Sequence, residues 1–166
     1  MSELRVGTGF DSHRLVPGRP LLLGGVEIPH ERGLAGHSDG DCLIHAACDA
    51  ILGALAAGDM GTHFPSSDPK WKGVASAVFA SRAMQIARDR GYAIENVDAT
   101  VIAETPPLAR HVEAMRSSLA RALGVEQGRV SVKIKSADGL GAVGRGEGIA
   151  AQAVCLLRRQ PPMEPQ

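Results

Sequence analysis

Aromatic residues are scarce in this chain of 166 residues: three Phe, one Trp and one Tyr, 3% of the sequence. The core must therefore be built from Ala, Val, Ile and Leu, and an oligomer would help it by burying more apolar surface. Neither charge is in surplus, with 18 Lys and Arg against 18 Asp and Glu. That balance argues against nucleic acid as the main partner, because a phosphate backbone calls for a basic excess. No apolar run approaches the ~20 residues of a membrane span. No basic-then-apolar segment opens the chain, so a cytoplasmic location is expected. The three cysteines, Cys42, Cys48 and Cys155, lack CxxC spacing. They are expected as buried small hydrophobes in a reducing compartment. The P-loop is also missing, and Gly139-x-Gly141 and Gly144-x-Gly146 lead into no clear helix, which leaves the dinucleotide reading weak.

What is present is glycine, 20 residues of it, clustered as GG, GLG and GRGEG. A length of 166 residues suits one domain, here residues 1–158, with a disordered tail over 159–166. Residues 4–11 alternate as a strand, and 21–23 and 26–28 read as short strands around a Gly24-Gly25 turn. Residues 30–37 read as a loop. A helix is expected over 38–57, capped by Ser38 or Asp39, with Leu43, Ile44, Ala47, Ile51, Leu52 and Leu55 at helical spacing. Residues 63–69 form a proline-punctuated loop too irregular for an element. A helix over 75–90, a strand over 94–104, a helix over 109–123 and a strand over 130–135 follow. The last strand is 149–158, where Ala richness leaves a helix open. The order predicts an α+β fold, an α/β sandwich whose mixed sheet carries helices on one face.

Asp11 and His13 stand two apart on the first strand, so their side chains share a face. With His45 on the following helix they make a three-ligand set for a divalent ion, leaving one tetrahedral position open. Asp49, four residues after His45, is a candidate to orient it, against the plainer reading of an ordinary His–Asp pair. His37 and Ser38 at the mouth of the 38–57 helix suit a phosphate, because a helix N-terminus offers free N–H groups. Asp59 and Asp68 could hold sugar hydroxyls or simply cap turns. Asp138, after Lys135 and Ser136, could hold a second hard cation on a diphosphate or cap a turn. Arg145 and Glu147 read as a structural ion pair across a turn.

The blocks GFDSH, LLLGGVEIP, HSDGDCLIHAACDAILGALAAGDMG, FPSSDPKWKG, AETPPLARH and GRGEGIAAQA resemble, in order and spacing, the 2-C-methyl-D-erythritol 2,4-cyclodiphosphate synthase family. That resemblance covers Arg5 to about Leu157. It implies a homotrimer of the non-mevalonate isoprenoid pathway, built around sheet faces, with active sites between subunits. The implied reaction converts 4-diphosphocytidyl-2-C-methyl-D-erythritol 2-phosphate, a cytidine diphosphate substrate, into the cyclic diphosphate and CMP. It implies Zn²⁺ on Asp11, His13 and His45, and Mg²⁺ or Mn²⁺ on Asp138. His37 and Ser136 match transition-state stabilisers. Ser38, Asp59, Met60, Gly61, Phe64, Pro65, Ser66, Ser67 and Asp68 match the substrate side. Ala103, Glu104, Thr105, Pro106, Pro107, Leu108, Ala109, Lys135 and Ala137 match the cytidine and diphosphate side, supplied by the neighbouring subunit. Ala142 and Arg145 match positions near the three-fold axis. Five positions depart from the family pattern: Pro107 stands for a lysine, Ser66 for Asp, Ser136 for Thr, Asp138 for Glu and Ala142 for an aromatic residue.

Overall fold

The computed structural model describes residues 3–161. Its main sheet has five strands in the order β4-β1-β7-β5-β6. These are β1 (Leu4–Pro17), β4 (Arg32–Leu34), β5 (Tyr92–Ile102), β6 (Val130–Lys135) and β7 (Gly148–Arg159). A separate hairpin pairs β2 (Leu21–Leu23) with β3 (Val26–Ile28). Gly24 and Gly25 both take positive φ there, as a two-residue hairpin turn requires. The helices are α1 (Cys42–Ala54), α2 (Met60–His63), α3 (Ser76–Asp89), α4 (Val112–Leu123) and α5 (Gly141–Gly144). β5 and β6 run parallel and the other neighbours antiparallel, so the sheet is mixed. The parallel pair needs a crossover, which α4 supplies.

One face of the sheet carries the helices. Inward side chains at alternate positions, among them Val97, Ala99 and Val101 on β5 and Ala151, Ala153 and Cys155 on β7, are buried. The opposite face is open, with Val6 69% and Phe10 60% exposed on β1 and Val154 41% exposed on β7. The 149–158 segment is a strand, as pairing with both β1 and β5 demands of a central position.

Five local expectations change. The first strand extends six residues further, to Pro17. It does so because residues 32–34, expected as loop, pair with it as β4. Residues 60–63 form the short α2, capped by the Asp59 side chain on the Thr62 N–H. The expected helix over 38–57 begins only at Cys42, capped by Asp41, whose carboxylate accepts from the Ile44 N–H. Arg159 still belongs to β7, and the Gln160 N–H bonds to the Gly91 carbonyl. The rest of the expected tail, residues 162–166, lies outside the described residues.

Candidate metal centre and its surroundings

The site is set by how closely α1 lies on β1. Gly7 and Gly9 share the helix-facing side of the strand with Asp11 and His13. A Cβ on Gly7 would stand 2.0 Å from the Ala50 carbonyl oxygen, and one on Gly9 2.0 Å from that of Ala46. Two strand residues advance about 6.6 Å and four helical residues about 6 Å, so each same-face strand position meets one helix turn. Continuing the series puts the start of α1, with His45, over Asp11 and His13.

There the ligand atoms converge. Asp11 Oδ2 lies 2.8 Å from His13 Nε2 and 2.9 Å from His45 Nδ1. The two ring nitrogens are 3.3 Å apart. All three groups fall in one cluster, the only such cluster of His, Cys, Asp or Glu among the described residues. Ligands about 2.0–2.1 Å from a tetrahedral zinc stand about 3.3 Å from each other, so a small withdrawal of the carboxylate fits the ion. One oxygen and two nitrogens, with no thiolate, also suit such a site left open to substrate. Burial alone would push the Asp11 carboxyl up, but hydrogen bonds from His13 and His45 hold it well below the usual range. Burial pushes His13 down, and its bond and charge attraction to Asp11 outweigh this and raise it.

The far side of the His45 ring is also held. Its Nε2 lies 2.8 Å from Ser76 Oγ and 3.2 Å from Ser38 Oγ. Phe79 packs against the ring at 5.9 Å between centroids, and Phe64 and Trp71 extend that cluster. Three of the chain's five aromatic residues thus wall one site. Asp49 does not orient His45: its Oδ1 accepts the Met60 N–H at 2.8 Å and ties α2 to α1.

The phosphate cradle expected at the mouth of α1 is also corrected. That N-terminus is occupied by the buried Asp41 carboxylate, which takes the N–H groups of Ile44, Gly24 and Gly25. His37 and Ser38 lie before the cap, in a loop held by Arg19, whose guanidinium donates to the Gly36 and Ser38 carbonyls. His37 is exposed and Ser38 buried. Asp59 caps α2, and Asp68 pairs with Lys70 at 2.6 Å. Met60, Phe64 and Pro65 are half-buried, while Gly61, Ser66 and Ser67 are exposed.

A second group gathers at the C-terminal ends of the parallel pair. The Ala103 N–H bonds to the Lys135 carbonyl, joining the 103–109 and 135–138 loops. Pro106, Pro107 and Ala109, with Ile28, Pro29, Arg110 and His111, line a cleft of ≈ 400 Å³. Glu104 is exposed and Thr105 half-buried; Ala103 and Leu108 are core residues. Ser136 Oγ accepts the Asp138 N–H at 3.2 Å, and Asp138 sits at φ 51°. Ser12, Ala150, Ile102 and Lys135 lie in one row across the sheet. Three strand spacings of about 4.8 Å put the Ser136–Asp138 loop ~14 Å from the Asp11, His13 and His45 cluster of its own chain. Ala142, with His13 and Glu147, lines a cleft of ≈ 180 Å³. Arg145 Nε donates to Glu147 Oε1 at 2.6 Å, the expected pair.

Sequence reasoning missed Gly7, Gly9 and Ser76, and gave Asp39 to the start of α1, whereas its carboxylate accepts the Ser76 N–H at the start of α3. The two glycines lie in a strand pattern, where an isolated Gly hints at close backbone approach. Ser76 carries no such signal, since it looks like any residue at a helix start.

The YgbB family matches residues 4–158. A 2-C-methyl-D-erythritol 2,4-cyclodiphosphate synthase of Geotalea daltonii is 54% identical over 163 residues, 98% of this chain and 95% of that protein. A solved 2C-methyl-D-erythritol-2,4-cyclodiphosphate synthase in its CDP-bound form superposes with TM-score 0.85 at 40% identity, covering 92% of this chain and 99% of that one. The bifunctional IspDF from Campylobacter jejuni superposes with TM-score 0.91 at 39% identity over 96% of this chain, which spans 43% of that longer protein. With a family match over nearly its whole length and close relatives of one name, the chain belongs to the YgbB family, the 2-C-methyl-D-erythritol 2,4-cyclodiphosphate synthases.

Proposed function

We propose that this protein is a phosphorus–oxygen lyase that converts 4-diphosphocytidyl-2-C-methyl-D-erythritol 2-phosphate into 2-C-methyl-D-erythritol 2,4-cyclodiphosphate and CMP. It does so in the cytoplasm as a homotrimer. The observation that carries this reading is the convergence of Asp11, His13 and His45 within 2.8–3.3 Å on a family-wide scaffold. Relatives named for this reaction, at 54% identity, support it. The CDP-bound relative supports a cytidine diphosphate ligand.

The substrate's 2-phosphate oxygen attacks the β-phosphorus. One P–O bond forms, the bond to the α-phosphate oxygen breaks, and CMP leaves with that electron pair. The nucleophile is part of the substrate, so the protein supplies none; its task is to fold the substrate back and offset charge. Asp11, His13 and His45 would hold a Zn²⁺ ion, which would supply Lewis acidity to the reaction. His37 and Ser38, at the end of the loop held by Arg19, bind the phosphate and the erythritol part. Asp59, Gly61 and the 64–68 loop line the sugar side. The cleft at Pro106, Pro107 and Ala109 takes the cytidine, and Ser136 donates its hydroxyl to the diphosphate. Asp138 would hold Mg²⁺ or Mn²⁺, which would offset the charge of the diphosphate.

The ~14 Å between the two groups within one chain supports a site completed by a second copy. The open sheet face with Val6, Phe10 and Val154 offers that copy an apolar surface. A water-using phosphohydrolase is the rival within the same metal chemistry. Incubation with substrate, followed by ³¹P NMR, decides: coupled resonances of a cyclic diphosphate with CMP are expected, and a linear phosphate product would refute cyclisation.

A further inference from the structure

We infer that Asp39 and Ser76 are positioning residues for the third metal ligand, fixing the tautomer and the angle of the His45 ring. The inference depends on the metal reading above.

His45 has one nitrogen on each side of the problem. Nδ1 faces Asp11 and His13, so its lone pair is the one directed at an ion. The proton then belongs on Nε2, which must donate it. Ser76 Oγ is the nearest acceptor, at 2.8 Å. Ser76 Oγ in turn donates to Asp39 Oδ1 through a short hydrogen bond, and the Ser76 N–H reaches Asp39 Oδ2 at 2.8 Å. The series runs imidazole N–H to hydroxyl, hydroxyl O–H to carboxylate and backbone N–H to carboxylate, with Ser38 Oγ a longer second partner of Nε2 at 3.2 Å.

Ser76 is fully buried and is the first residue of α3, where no side chain of the preceding Ala75 caps the helix. Asp39 serves as that cap from another segment. It is itself tethered, its N–H bonding to the Val74 carbonyl. The same carboxylate thereby fixes the start of α3 and, through Ser76, the ring on α1. The carboxylate four residues after His45, Asp49, is occupied by the Met60 N–H. A carboxylate acting through a hydroxyl raises the basicity of the ligating nitrogen and removes the ring's rotational freedom.

The test is zinc affinity of the full-length protein, stripped of metal and titrated against a chromophoric chelator, with the Co²⁺ absorption spectrum as a second readout. No substrate is present, so failure of the cyclisation reading does not enter the result. Ser76→Ala and Asp39→Asn should each weaken zinc about 10–100-fold and alter the Co²⁺ spectrum. Ser76→Thr, which restores the hydroxyl, should return affinity towards wild type. Wild-type affinity and spectrum in Ser76→Ala, with only a lower melting temperature of the metal-free protein, would overturn the proposal and leave the pair as a helix cap. Should Ser76→Ala not fold, Asp39→Asn decides alone, because it keeps an oxygen for the Ser76 N–H. A wild-type protein that binds no divalent ion overturns the proposal together with the metal centre.

Discussion

Gly9 lies directly beneath Ala46: a Cβ on the glycine would come within 2.0 Å of the Ala46 carbonyl oxygen. Backbone on both sides cannot yield as a flexible side chain would. Gly9→Ala must push α1 off β1, and it should cost ~3 kcal/mol or more. His45 would move with the helix, so zinc affinity should fall as well. Gly53→Ala is the contrast, since its nearest neighbour would be Thr8 O at 3.6 Å, an ordinary contact. That substitution should stabilise α1 by about 0.5–1 kcal/mol. Urea midpoints of the two variants, with unchanged slopes, check both signs.

Asp41 joins two segments through one carboxylate, accepting three N–H groups: Ile44 at the start of α1 and both glycines of the β2–β3 turn. Asp41→Ala leaves those donors buried without an acceptor, and should cost on the order of 3 kcal/mol. Asp41→Asn keeps one acceptor oxygen and should lose less. Equal losses in denaturant titrations would count against the clamp.

How much of this was readable beforehand divides along physical lines. Asp11 and His13 follow from the two-residue strand period, and the α4 stop follows from Gly124 in its left-handed cap. The start of α1 did not, because Ser38, Asp39 and Asp41 are all good cap residues and only tertiary partners choose among them. Asp39 went to α3, Ser38 to His45 and Asp41 to the cap. β4 was hidden because three residues carry no period; its strand state comes from its partner β1. Asp49 has the right helical spacing for His45, but spacing does not reveal that the Met60 N–H reaches it first.

The cysteine thiols are buried, and burial pushes Cys155 up to about 12 from its ordinary value of 9.0. A group raised in the folded state contributes stability below its unfolded value, and that stability is lost as pH climbs towards the folded one. Between about pH 9 and 12 this thiol should cost up to ~1.4 kcal/mol per pH unit, because only the unfolded chain releases its proton. Cys155→Ala should flatten part of the alkaline loss. Native protein should also resist thiol alkylation at neutral pH and react at all three sites once unfolded.

Phe10 and Val6 stand more than half exposed on the open sheet face, beside Val154 at 41%. A second copy covering them would bury this apolar patch. Phe10→Asp should therefore dissociate the proposed trimer, read as a fall in mass by light scattering, and with it the activity. His45→Ala should remove zinc and activity and leave the mass unchanged.

The ~14 Å between the Asp11, His13 and His45 cluster and the Ser136 loop of the same chain makes the central claim testable by mixing. His45→Ala should be inactive, and Ser136→Ala should lose about a hundredfold. Unfolded together in equal amounts and refolded, they should recover roughly a quarter of wild-type cyclase activity, because each mixed trimer rebuilds one intact site of three. Trimers that form and stay inactive would contradict a site shared between subunits.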